Sequence, residues 1–180
     1  MPQFTLPEAT ALLARTPSAL QALLSGLPDI WVHTNEGPNT WTATDILAHL
    51  VDCERTNWLP RARMILEQGE SHPFTPLDRF AQQKESPKSL DQLLEDFATL
   101  RAANLATLQS LNLQPEDLTR RGIHPAFGPV TLAQLLATWT THDLTHLHQL
   151  SRLLAHQYRE AVGPWSAYLG VLKCTGHSAP

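Results

Sequence analysis

The chain has 180 residues, of which 42 % are apolar and 17 % charged, with a formal net charge of −4. That balance fits one globular domain spanning 1–180, and the slight acidity without any clustered Lys/Arg run argues against binding driven by nucleic-acid phosphates. No apolar run approaches the ~18 residues of a membrane span. The opening MPQFTLPEATALLART lacks a signal-peptide pattern, and Cys53 and Cys174 form no framework, so a reducing, cytoplasmic setting is expected.

Turn-rich clusters such as TNEGPNT, EQGESHPFTPLD, NLQPED and HPAFGPVT carry most of the 14 prolines and 8 glycines and separate four helical patterns. In the first, LPEATALLARTPSALQALLSGL, Pro17 predicts a break or two short helices. The second, TWTATDILAHLVDCERTNWLPRARMILEQG, opens on Thr42 with Asp45 three residues on, a capping box with Asp for the usual Glu. Ile46, Leu47, Leu50 and Val51 give it an apolar stripe, and Pro60 predicts a kink or a split after Trp58. The third opens on Ser89 and Gln92 and buries Leu93, Leu94, Phe97, Leu100, Leu105 and Leu108. The fourth opens on Thr131 and Gln134 and runs through LAQLLATWTTHDLTHLHQLSRLLAHQY, and the tail WSAYLGVLK adds one or two turns. No stretch alternates as a strand does. The chain reads as all-α, a four-helix bundle with long loops before the third and fourth helices.

Histidine stands out, with nine residues, and the stretch THDLTHLHQL holds His142, His146 and His148. His142 and His146 are four apart and about 40° apart on a helical wheel, Gln149 shares their face, and His148 lies nearly opposite. Leu135, Trp139 and Leu153 place the pair on or beside the core-facing stripe, although two histidines at this spacing also suit solvent. Buried imidazoles need an acceptor or a cation. Two ligands leave zinc or nickel undercoordinated, and His49 in DILAHLVDCE is the best third candidate. Alone it reads first as a hydrogen-bonded core or boundary residue; the pair on another helix of the same bundle turns the reading toward a ligand. Asp45, Asp52 and Cys53 share its face.

TWTATDILAHLVDCE resembles the second helix of the DinB-like (YfiT-like) family, and VTLAQLLATWTTHDLTHLHQL resembles its last long helix; the resemblance runs from about Leu20 to about Leu172. It implies a four-helix bundle in which His49, His142 and His146 hold one divalent transition metal, zinc or nickel. Family members with assigned activities are thiol S-transferases, including bacillithiol transferases and, more distantly, mycothiol-dependent maleylpyruvate isomerase, and dimers are common. The resemblance thus implies a metal-dependent thiol S-transferase acting on small electrophiles. It would use a low-molecular-weight thiol as co-substrate and form a homodimer, with neither nucleic acid nor membrane as partner. A metal-dependent hydrolase, or a metal-stapled bundle with a binding or stress-response role, are the alternatives.

Around such a site Asp52 or Asp45 would orient His49 or act as a base, and Gln149 would orient a bound water or substrate; exposed helix-surface residues are the other reading of the two aspartates. Cys53 reads as a soft fourth ligand or a small buried filler. Trp41, Trp58, Trp139 and Trp165 line a pocket or pack the core. Arg61, Arg63, Arg79 and Arg101 receive a carboxylate or lie in solvent. HDLTH departs from the zincin H-E-x-x-H by the Asp at 143, and Arg152 stands where a metzincin has its third histidine, so a protease is not expected.

Overall fold

The computed structural model describes residues 4–78 and 87–174; Arg79 lies outside them. Proline and capping chemistry set the helix boundaries. Pro17 divides the first leg of the bundle into α1 (Leu6–Leu13) and α2 (Thr16–Leu24). The second leg is α4 (Ala43–Thr56) and α5 (Trp58–Gln68), with α3 (Asp29–His33) in the loop before it. Pro60 has no N–H to donate and clashes with the carbonyl four residues back, which is tolerated only in a first turn. The helix therefore ends at Thr56 and restarts at Trp58, one residue earlier than Pro60 alone suggests, with Asn57 at φ −105° and ψ −64° between the two. The third leg, α6 (Leu90–Ser110), and the fourth, α8 (Leu132–His156), are unbroken. The reciprocal capping boxes Thr42/Asp45, Ser89/Gln92 and Thr131/Gln134 all form. α4 packs on α6 and α8, α1 and α5 pack on α8, and α2 packs on α6.

The core falls into two apolar clusters. One gathers Leu20, Leu24, Ile46, Leu47, Leu50, Phe97 and Leu153. The other gathers Leu13, Trp58, Ile65, Phe74, Leu132, Leu136 and Trp139. Along α4, α6 and α8 the switch from one cluster to the other is marked by buried polar residues: His49, Asp52 and Glu54; Arg101; Asp143, His146 and Gln149. The bundle is thus apolar at both ends and polar across its waist.

One element departs from the all-α expectation. HPAFGPVT is not a plain loop but the centre of an antiparallel hairpin, β1 (Arg121–His124) and β2 (Gly128–Thr131), in register Arg121↔Thr131 to His124↔Gly128. Strands of four residues carrying Gly and Pro are too short to display period-2 alternation. The hairpin packs on α5 through Gly122, where an added Cβ would lie 2.8 Å from Ile65 and from the Phe74 ring. The Phe74 N–H donates to the Ile123 carbonyl at 2.8 Å, joining the segment after α5 to β1. α7 (Pro115–Thr119) precedes the hairpin, and 3-10 turns at Gly163–Ala167 and Gly170–Leu172 form the tail. No helix among the described residues is long and apolar enough to cross a membrane.

Candidate metal centre

At the waist of the bundle α4 and α8 direct three imidazoles toward one another. His142 Nε2 lies 3.3 Å from His49 Nε2 and 3.1 Å from His146 Nε2. Ring centroids are 5.3 Å apart for His49 and His142, 5.0 Å for His49 and His146, and 4.4 Å for His142 and His146. Tetrahedral coordination with metal–nitrogen bonds of about 2.0–2.1 Å separates ligand nitrogens by about 3.3–3.4 Å. The two separations from His142 Nε2 lie at and slightly below that value. His148, one turn-face away, is exposed.

The electrostatics suit ligands rather than cations. Burial first, then the neighbouring His146 and His49 rings and Arg101, push His142 down to about 2, so it is neutral in the folded chain. His146 is also lowered, by burial, against a smaller opposing pull from its hydrogen bond to Gln149 and from Asp143. Gln149 Oε1 accepts from His146 Nδ1–H at 2.7 Å, which fixes the tautomer and leaves the lone pair on Nε2, facing His142. His142 Nδ1 is buried without a partner. Trp41 packs against His49 at 4.9 Å and lies nearly parallel to His146 at 6.4 Å, while Trp58 meets His142 edge-on at 5.0 Å. Gln149 thus orients an imidazole, where sequence reasoning had given it a bound water or substrate.

Cys53 is fully buried beside His49, and its sulfur, His49 and His142 offer ligand atoms within 4.8 Å of one another. Its Sγ is 3.5 Å from His49 Nε2 and 4.0 Å from Nδ1. A sulfur sharing an ion with Nε2 lies beyond that nitrogen, about 1.5 Å or more farther from Nδ1 than from Nε2. The thiol instead flanks the ring, and burial, followed by the charges of Asp52 and Glu54, holds it well above the ordinary thiol range. The sulfur thus stands beside the His49 ring rather than beyond its Nε2.

Other candidates separate clearly. Asp45 is engaged by the Thr42 N–H and hydroxyl in the cap of α4. Asp52 is buried on α4. Trp139 is core and Trp165 is 70 % exposed on the tail, so of the four tryptophans Trp41 and Trp58 line the cavity. Arg63 is exposed.

Arg101 corrects the solvent reading most sharply. It is 1 % exposed and donates to Glu54 at 2.8 Å, to Asp143 at 2.6 and 3.0 Å and to the Leu13 carbonyl at 2.8 Å. Burial opposes its charge, but the hydrogen bonds to Asp143 and Glu54 outweigh it and raise its pKa. Trp139 Nε1 and Asn104 complete Glu54, and the Thr16 hydroxyl donates to Asp143. Asp143, at the zincin-like base position, is therefore turned away from the imidazoles into an ion-pair network. Sequence reasoning missed Glu54 and this role of Asp143; the only signal was charge at core-facing helical positions.

The imidazoles open onto a cavity of about 400 Å3 between α4, α5, α8 and the hairpin. Its walls include Trp58, Phe74, Phe127 and Leu135, with Asn57, Arg61 and His124 as further polar groups. No Asp or Glu among the described residues lines it.

Comparison with known proteins gives a consistent picture. The family model described as the DinB superfamily matches residues 12–150. Among solved structures the chain is similar to YfiT from Bacillus subtilis, described as a probable metal-dependent hydrolase with an unusual four-helix bundle topology. The TM-score is 0.73 at 18 % identity, covering 87 % of this chain and 93 % of that one, a likeness that carries the fold. Among curated proteins no relative matches.

Proposed function

The chain belongs to the DinB superfamily, and from that premise we propose that it is a metal-dependent enzyme. In this reading His49, His142 and His146 hold one divalent transition metal, zinc or nickel, and a low-molecular-weight thiol is transferred to a small electrophile. The observation that carries it is the convergence of three imidazoles on a cavity of about 400 Å3 that no described carboxylate lines. When bound, the ion supplies Lewis acidity that lowers the pKa of a thiol and keeps it as thiolate at neutral pH.

The chain's own residues then hold and shield. Gln149 keeps the His146 proton on Nδ1. Trp41 and Trp58 cover the imidazole rings and exclude water from their faces. The apolar walls seat the body of the electrophile beside the sulfur. The transfer forms a C–S bond, the leaving group departs with the bonding pair, and the thiol proton passes to solvent. None of this asks for a protein base. Hydrolysis does gain from one, and Asp143 is committed to Arg101 and Thr16. The hydrolase reading stays as the second one because YfiT is described in those terms.

Metal content of protein purified without a His tag or nickel resin, followed by a thiol-conjugation screen with and without chelator, tests the proposal. About one ion per chain and conjugation lost on chelation are expected. Ester hydrolysis that needs the ion but no thiol would replace transfer by the second reading, and activity that survives full chelation would overturn both.

A further inference from the structure

The same cavity holds a cation that thiol transfer does not use. Arg61, on α5 one turn beyond Asn57, is only 9 % exposed. Its Nη2 donates to the Thr75 carbonyl at 3.0 Å, and the guanidinium lies over the Phe74 ring at 5.3 Å. Among the described residues the other two buried arginines are neutralised, Arg101 by Glu54 and Asp143, Arg152 by Glu36. Arg61 has no such ion pair with any described carboxylate, and a buried charge without a counter-ion is unfavourable.

Two neighbours point the same way. Asn57 is 4 % exposed, lines the cavity, and its Oδ1 is buried without a partner. His124 Nδ1 accepts from the Ala126 and Phe127 N–H groups at 3.1 and 3.3 Å. Its proton is therefore on Nε2, so this ring of the cavity wall is a neutral donor.

We propose that Arg61 is an anion subsite, and that the substrate is a small molecule with an apolar body and a single carboxylate, held by the Arg61 guanidinium with His124 as a second donor. The proposal rests on reading the cavity as an active site. A planar guanidinium matches a carboxylate in geometry and charge. A dianionic phosphate facing one cation among aromatic walls would leave charge uncompensated. The unpaired Asn57 oxygen calls for a donor on the same ligand, a hydroxyl or an amide N–H.

The test is binding rather than turnover. Phenylacetate, its neutral isostere phenylacetamide, and benzylphosphonate are titrated into the full chain, as purified and after chelation, with tryptophan fluorescence and calorimetry as readouts. The chelated arm separates this proposal from the metal reading, because Arg61 is present whether or not an ion is bound. Phenylacetate is expected to bind at least about tenfold tighter than phenylacetamide, the scale of one charge-assisted hydrogen bond, with benzylphosphonate weaker than phenylacetate. Arg61→Met should erase the preference and Arg61→Lys should keep part of it, both checked for an unchanged melting transition. Equal affinities in the wild-type chain, a preference that survives Arg61→Met, or one that vanishes on chelation would each overturn the assignment. A phosphonate bound tighter than the carboxylate would overturn the substrate class.

Discussion

His142 sits between the other two imidazoles, 3.3 Å from one and 3.1 Å from the other, so its loss leaves the remaining pair without the nitrogen that joins them. His142→Ala is expected to remove most of the bound metal, measured as ions per chain. His148→Ala should change little because that ring is exposed. Cys53→Ala should also retain the ion; a loss as large as that of His142→Ala would make the sulfur a ligand. The three histidines were legible because helical periodicity and apolar neighbours mark a face. Arg101 and Asp143 were not, since a charged residue looks the same in sequence whether it meets water or a partner on another helix. What decides their burial is Glu54 and Thr16, contributed by other elements.

Helix termini were the most legible elements. Each capping box is a local interaction over three residues, and each formed. The break at Asn57 follows from Pro60 in the same local way. The hairpin was hidden because its stability is tertiary: it rests on Ile65 and Phe74 rather than on its own alternation. Gly122 has no room for a side chain, so Gly122→Ala should force Phe74 off its position. Overpacking of this kind costs about 1–3 kcal/mol. The check is a lowered urea midpoint together with a change in fluorescence of the cavity tryptophans; an unchanged midpoint would mean that the hairpin yields freely.

At the scale of the molecule, the Glu54–Arg101–Asp143 network ties α4, α6 and α8 together beneath the imidazoles. Arg101→Met leaves two buried carboxylates unpaired. A loss of about 3–5 kcal/mol in unfolding free energy is expected by denaturant titration. Acid should destabilise the metal-free chain for a related reason. His142, depressed to about 2, stays neutral when folded, and His146, also lowered, takes up a proton less readily than a free imidazole. The unfolded chain protonates the same residues below their ordinary ~6.5 and so binds more protons. Stability is thus full above that pH and falls as pH drops below it, by at most about 1.4 kcal/mol per pH unit for each group. The slope should be shallower in His142→Leu; identical slopes would show that the ring titrates normally.

The polar waist between two apolar clusters has a mechanical consequence. Its imidazoles come from the middle of α4 and α8, helices that each contribute to both clusters. An ion gripped there acts as a rivet through both halves. Loading should therefore slow deuterium uptake along α4 and α8 on either side of the site, and narrow the thermal unfolding transition rather than merely shift it.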